Sequence, residues 1–276
     1  MSCFPLPYDL PNVMKLRVHD VKRNFLKKAE ILAKNRLLII VGNYGSGKTE
    51  IAVNLAILLK QSGKFIQIAD LDIVNPYFRC REAKKLMEDN GIRVVVPPPS
   101  QTWADLPIVV PEIKGMLNPA EDQLSIFDVG GDDAGAKLLS SFKESLGNSP
   151  YELWQVINSR RPFTDTVEGC LNMQASIEQA SRLKVTGLIV NTHLMDETTP
   201  AVIVEGYELA QKVAGKSGLP IVFVGIMEEF IESEEIKQIQ APLLPLVRRM
   251  LPPWLRPQGN SADSDEWARP VPIGKP

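Results

Sequence analysis

The sequence predicts an α/β fold of three layers, with helices covering both faces of a mainly parallel, doubly wound sheet. Three observations predict it. Short apolar runs without polar alternation recur along the chain, as strands buried on both faces require. Stretches of helical period separate them, which is the spacing of β-α-β units. Glycine-rich or acidic turns follow several of these strands, and in open α/β sheets ligands bind at that edge.

Residues 1–14 read as irregular, with Pro5, Pro7 and Pro11 among them. Val18, Val21, Phe25, Ala29 and Leu32 then recur at helical spacing, with Lys22, Arg23, Lys27 and Lys28 between them. That is a surface helix packing one face on a core. The first strand is expected at 37–41, followed by a glycine-rich turn and a helix over 48–61 stopped by Gly63. A strand at 65–69, a helix over 79–90 ended by Gly91 and a strand at 92–96 come next, closed by Pro97, Pro98 and Pro99. Residues 105–117 hold a short helix. A strand at 124–127, a helix over 134–146 and a strand at 151–157 follow. The last third repeats the alternation: helix 166–183, strand 185–190, helix 201–216, strand 219–224, and one or two helices before Leu251.

The expected organisation is an N-terminal segment with its helix over 1–35, one α/β domain over 36–250, and a proline-rich tail over 251–276 that wraps the surface or is disordered. The apolar stretch 243–255 carries Arg248 and Arg249, is followed by Arg256, and has the composition of a membrane-surface anchor. Pro245, Pro252 and Pro253 interrupt the long amphipathic helix that such an anchor needs.

Hydrophobic residues make up 44% of the 276 and charged residues 23%, with a formal net charge of −2. This is an ordinary globular balance, and it does not suggest a generally basic nucleic-acid binder. No apolar run approaches the roughly 20 residues that span a bilayer. Cys3, Cys80 and Cys170 are scattered and have no zinc-ligand spacing. A soluble protein of a reducing cytoplasm is expected, without membrane contact.

The chemistry concentrates at Gly42-Asn43-Tyr44-Gly45-Ser46-Gly47-Lys48-Thr49, which fits G-x-x-x-x-G-K-[ST], a P-loop. A buried-strand run precedes it and a helix follows, the context the pattern requires. Glycines let the backbone curl so that successive N–H groups face inward on phosphate oxygens. The helix beginning near Lys48 adds unpaired N–H groups and a positive dipole end. Lys48 is expected on the β- and γ-phosphates, and the Thr49 hydroxyl on Mg²⁺.

Acidic groups fall at the same edge. One strand ends in Asp70-Leu71-Asp72 and another in Asp128-Val129-Gly130-Gly131. A hard cation bound with phosphates takes one or two carboxylates. Asp128 is the Walker-B-like candidate and Asp70 a second metal carboxylate. Asp72 is the candidate for positioning an attacking water, and the Gly131 N–H for approaching the γ-phosphate. The segment Asn158-Ser159-Arg160-Arg161-Pro162 also leaves this edge. Its two arginines suit either an acidic ligand or solvent. His193 reads as an ordinary surface histidine or as a wall of the base pocket.

The P-loop, the Asp70-Leu71-Asp72 strand end, the Asp128-Val129-Gly130-Gly131 turn and the late Asn191 occur in an order that resembles the SIMIBI class of P-loop NTPases. Within that class they resemble the CobQ/CobB/MinD/ParA type: partition and division-site ATPases and cobyrinic acid a,c-diamide synthase. The resemblance covers about residues 36–225. It implies a doubly wound sheet, ATP with Mg²⁺ and often a nucleotide-dependent homodimer. It assigns Lys48 and Thr49 to phosphate and magnesium, Asp72 to water activation, Asp128 to the Walker B acid and Asn191 to the base. Partition-type members carry a lysine directly after the first P-loop glycine, and it reaches the partner's phosphate. Here that position is Asn43. Residues 191–196 are also loosely like the guanine-reading N-K-x-D pattern, without its lysine and with Asp196 two places late.

The leading expectation is an ATP-binding protein, a Mg²⁺-dependent ATPase or ATP-driven switch that acts on a protein partner. An ATP-dependent ligase or kinase for a small molecule, like the synthase relatives, is the second. A nucleotide-binding regulatory module without useful catalysis is the third, and a GTP-binding switch remains open beside them.

Overall fold

The computed structural model describes residues 12–32, 35–71, 83–96, 111–131 and 133–250. In chain order the elements are α1 (Asn12–Leu32), β1 (Leu37–Gly42), α2 (Lys48–Lys60), β2 (Phe65–Leu71), α3 (Lys84–Asp89), β3 (Arg93–Val95), α4 (Pro111–Met116), β4 (Gln123–Val129) and α5 (Asp133–Leu146). The second half contains β5 (Glu152–Ile157), α6 (Val167–Ser181), β6 (Gly187–Val190), α7 (Pro200–Ser217), β7 (Ile221–Met227), α8 (Glu234–Lys237) and β8 (Leu243–Leu246). Asp72 and the first residues of the helices expected over 79–90 and 105–117 lie outside the described residues, as do 1–11 and the tail 251–276.

The strands form one sheet in the order β3-β2-β4-β1-β5-β6-β7-β8. Every pairing between neighbours is parallel. The expected α/β architecture is therefore the observed one. β1 lies where the order reverses, with β4 on one side and β5 on the other. In such sheets this switch point is where ligands bind.

Alternate residues of β1 feed opposite cores, as strand geometry dictates. Leu38 and Ile40 pack with α2, α3 and Phe25 of α1. Leu37, Ile39 and Val41 pack with α4, α5 and α6. A third cluster joins α6, α7 and α8 to β6 and β7. The α2 helix is apolar nearly all round because it is buried nearly all round, from Ile51 to Leu59. On the α1 face, Phe25 and Trp154 both meet the Phe223 ring edge-on, at 5.4 and 6.0 Å between centroids. No helix among the described residues is long and apolar enough to cross a membrane.

The structure corrects one expectation. The sequence predicts one or two helices between β7 and Leu251. Only the four-residue α8 is α-helical there, and Leu243–Leu246 is an eighth strand at the sheet edge. Pro245 explains it. A proline in this stretch blocks a helix, and an edge strand tolerates one because only one side of its backbone is paired.

The turn after β8 is fastened to α2. Asn54 Nδ2 donates to the Val247 carbonyl and Asn54 Oδ1 accepts from the Val247 N–H, both at 3.0 Å. One turn earlier on the helix, Glu50 accepts from the N–H groups of Arg249 at 2.8 Å and Met250 at 3.0 Å. Burial pushes the Glu50 carboxyl up from its ordinary value, and these amides partly offset that cost. Asn54→Ala strands a backbone donor and a backbone acceptor. At about 1–3 kcal/mol for each buried group left unmade, it should lower unfolding stability by about 2 kcal/mol or more. A urea titration showing a loss below about 0.5 kcal/mol would remove the clamp from the account.

Candidate nucleotide site

The P-loop leaves β1 at the switch point and turns into α2. Gly42, Gly45 and Gly47 all have positive φ, at 148°, 72° and 84°. Gly47 is the N-cap of α2 in the left-handed conformation. A Cβ there would lie 2.2 Å from Asn191 Nδ2, so both its dihedral and its surroundings demand glycine. The first-turn N–H groups of a helix have no carbonyl upstream to bond. Here those groups follow directly on the loop's curl.

Side chains hold the loop from several directions. Lys48, 5% exposed, lies across the loop with Nζ 3.1 Å from the Asn43 carbonyl. Thr49 Oγ1 donates to Asp128 Oδ2 at 2.7 Å, tying the first turn of α2 to the end of β4. Asn191 Nδ2 donates to the Ser46 carbonyl at 2.8 Å. Asn43 Nδ2 donates to the Pro162 carbonyl at 2.6 Å, and Arg161 Nε to the Gly45 carbonyl at 3.0 Å.

The two carboxylates at the sheet edge are neighbours. Asp70 and Asp128 are paired across β2 and β4 in the parallel register, and both are buried. The Gly131 backbone presses on the loop itself. A Cβ at Gly131 would fall 2.4 Å from the Gly42 carbonyl oxygen and 2.9 Å from Tyr44 N. The turn after β4 and the P-loop are thus in direct main-chain contact.

The residues suit a polyphosphate with a hard cation. The loop offers glycines, a buried lysine and a helix N-terminus. Ser46 Oγ is buried inside it with no hydrogen-bond partner among the described residues. Beside it stand a threonine hydroxyl and two buried carboxylates, the oxygen donors that Mg²⁺ takes together with phosphates. Among the described residues no group of three or more His, Cys, Asp and Glu side chains forms a self-sufficient metal cage.

The sequence-predicted residues Gly42 to Thr49, Asp70, Asp128 and Asn191 thus converge on one edge of the sheet. Asp72 lies outside the described residues. Arg160 and Arg161, which the sequence treated alike, point to different places. Arg160 pairs with Glu205 on α7, whereas Arg161 lies on the P-loop. The sequence signal for this was faint: an Asn-Ser-Arg-Arg-Pro run at a strand end.

His193 is not an ordinary surface histidine. Asn158 brackets its backbone, accepting from the His193 N–H at 3.4 Å and donating to its carbonyl at 3.3 Å. Its ring lies beside Gly47. Burial, then the charges of Arg161 and Arg248, push its pKa down to about 4.

The parallel sheet and its phosphate loop define a nucleotide-binding P-loop NTPase fold. A family profile described as novel STAND NTPase 3 matches residues 21–91, about a quarter of the chain. No curated protein sequence matches the chain. Among solved structures, the chain is similar to the signal recognition particle 54 kDa protein of Aeropyrum pernix K1 in complex with GDP. That match has 20% identity and a TM-score of 0.50, and covers 82% of this chain and 50% of that one. It is also similar to the cell division protein FtsY of Thermotoga maritima, at 21% identity and a TM-score of 0.47, covering 76% and 70% of the two chains. The signal recognition particle receptor FtsY of Elizabethkingia anophelis in complex with GDP matches at 17% identity and a TM-score of 0.46, covering 78% and 66%. At these identities the likeness concerns the fold.

Two outcomes follow from this geometry. Gly131→Ala sets a methyl group against backbone that has no free end to move aside, so the variant should lose most nucleotide binding. Calorimetry finding wild-type affinity would show that the loop has room to spare. His193 is held neutral in the fold, so the unfolded chain binds a proton more readily between its ordinary value of 6.5 and about 4. Stability should therefore fall as pH is lowered across that window, and His193→Gln should flatten this part of the slope in urea titrations.

Proposed function

We propose that this chain is a magnesium-dependent, ATP-binding switch that hydrolyses ATP and acts on a protein partner. The observation that carries the reading is the Thr49–Asp128 hydrogen bond. It joins the hydroxyl at the head of the phosphate helix to a buried acid on the neighbouring strand, where a cation shared with the β- and γ-phosphates would be held.

The roles follow from position. The backbone from Gly42 to Thr49 wraps the phosphates. Lys48 exchanges the Asn43 carbonyl for phosphate oxygens, and its charge favours the trade. Thr49 and Asp128, with Asp70 behind them, would hold Mg²⁺, which would supply charge neutralisation to the phosphates. Asp72 is retained as the candidate for orienting the attacking water. Phosphoryl transfer to water needs little beyond such positioning and charge.

Asn191 contacts the P-loop from the end of β6, the place proposed for the base. It spends one amide hydrogen on Ser46 and keeps a second for the ligand. Adenine is favoured over guanine by the neighbouring loop. A carboxylate recognises guanine by accepting its N–H groups, and Asp196 is already paired with Arg248. The GDP held by the Aeropyrum pernix protein of similar fold keeps GTP as the second reading. The narrower affinity for partition-type ATPases belongs to this proposal too. Asn43 stands where those proteins carry their trans-acting lysine, and its amide is bound within its own chain.

A protein partner is supported by the rim of the site. Tyr44, Phe163, Leu194 and Met195 are large apolar side chains left exposed; Tyr44 is in the P-loop, Phe163 follows the Arg161-Pro162 pair that contacts it, and Leu194 and Met195 follow His193. Lys48→Ala is expected to weaken Mg-ATP binding by about 100-fold or more and to abolish hydrolysis, because one charge on the β- and γ-phosphates is removed. Titrating wild type and variant with Mg-ATP and Mg-GTP tests both parts. Equal behaviour of the two proteins would sink the reading, and a preference for GTP would overturn the base assignment.

A further inference from the structure

We propose that the acidic segment Asp263-Ser264-Asp265-Glu266-Trp267 of this chain folds back over the outer rim of the P-loop, with its carboxylates on Arg161 and its indole on the exposed side chains beside it. The proposal deepens the reading above. The surface covered is the one given there to a protein partner, so the segment is a built-in competitor for it.

The receiving surface is displayed against the interest of the fold. Phe163 and Met195 both have positive φ, at 68° and 55°. Left-handed backbone is disfavoured for bulky side chains, and glycine would take either position without strain. Yet Phe163 is 72% exposed, Met195 41% and Tyr44 64%. Neither strain nor exposed apolar surface stabilises the folded chain, and together they point to a contact made by something laid over these side chains. The two turns are firmly held. The buried Asn158 carbonyl accepts from Arg161 N at 3.1 Å and from Thr164 Oγ1 at 2.8 Å, on either side of Phe163. The Thr198 hydroxyl accepts from Leu194 N at 2.9 Å and donates to the Met195 carbonyl at 2.6 Å.

The rim also carries a cation. Arg161 uses Nε on the Gly45 carbonyl, which leaves both terminal NH₂ groups of a five-donor guanidinium. Among the described residues no carboxylate is ion-paired with it, whereas Arg160 is paired with Glu205 and Arg248 with Asp196. A carboxylate is the bidentate complement of such a group, and an aromatic ring packs well on its face.

The chain departs from this same place. Arg248 is paired with Asp196, the residue after Met195. Two residues later Met250 N donates to Glu50 in the first turn of α2. Residues 251–276 lie outside the described residues, and their only acidic side chains are Asp263, Asp265 and Glu266, directly before Trp267. The stretch from Met250 to Asp263 reaches on the order of 40 Å when extended, ample for a return to a rim that Arg248 already adjoins. A tether of this kind holds its end at an effective concentration of about a millimolar, so a contact of modest strength is enough.

The test is limited chymotrypsin digestion of the full chain without nucleotide, following cleavage after Trp267 by mass spectrometry. Rates are referred to free peptides carrying the same 260–272 sequence. Wild type should be cut slowly. The variant Asp263→Lys/Asp265→Lys/Glu266→Lys should be cut about tenfold faster or more, since cleavage follows the open population, and Phe163→Gly should behave likewise. Phe163→Gly should not lower the urea midpoint, because glycine suits that φ, and this separates loss of the contact from loss of the fold. Arg161→Glu should also speed cleavage. Combined with the three lysines it should restore slow cleavage, which a general loosening of the chain would not do. Equal rates in wild type and all variants, or protection that survives the charge reversal, would overturn the proposal. A wild-type chain that shields Trp267 yet binds no nucleotide would keep this contact and remove the reading above. One that binds nucleotide while Trp267 is cut at the free-peptide rate would do the reverse.

Discussion

A single hydrogen bond, 2.7 Å from the Thr49 hydroxyl to Asp128, fixes the relation between the phosphate helix and the sheet. It forms because β1 and β4 are adjacent and parallel, so their carboxyl ends finish side by side. Had another strand stood next to β1, the helix would begin beside a different turn. The pairing of Asp70 with Asp128 in the β2–β4 register extends the same logic by one strand. Two acids and one hydroxyl meet because three strands stop at one level, and no side chain has to reach far.

The loop itself is held mainly through its carbonyl groups. Asn191 takes the Ser46 oxygen, Arg161 that of Gly45, and Lys48 that of Asn43. A curled loop that turns its N–H groups toward an anion must turn carbonyls elsewhere, and buried carbonyls need donors. The donors come from three separate elements: the ends of β5 and β6, and the first turn of α2. The cradle is therefore a property of the whole sheet edge as much as of eight consecutive residues.

This division explains what was legible in the sequence. The P-loop lies in contiguous residues whose types are dictated by its dihedrals and its charge, and it could be read directly. The buried strands 37–41 and 65–69 announced themselves as apolar runs and were found at those places with their ends extended. Asp70, Asp128 and Asn191 could be placed because a strand end is a local feature. The eighth strand could not be read, because the same apolar run with Pro245 suits several conformations and only the exposed edge of β7 selects one. Arg161 and His193 were opaque for a related reason. Nothing local distinguishes Arg160 from Arg161, and their separation depends on α7 supplying Glu205 to one of them. The Glu50 and Asn54 contacts join residues nearly 200 positions apart, beyond the range of any pattern along the chain.

The Glu50 clamp has an evolutionary consequence. Its carboxylate grips the main-chain N–H groups of Arg249 and Met250, and the Arg249 charge adds to the hold. Substitutions that keep both N–H groups should keep these hydrogen bonds, with proline the exception, while Met250 also fills the core between the sheet and α2. The burden of keeping the attachment falls on one acidic residue, which stands immediately after the threonine of the phosphate loop. Sequence drift between β8 and Met250 would therefore be tolerated wherever it spares these main-chain donors and the one buried side chain beside them.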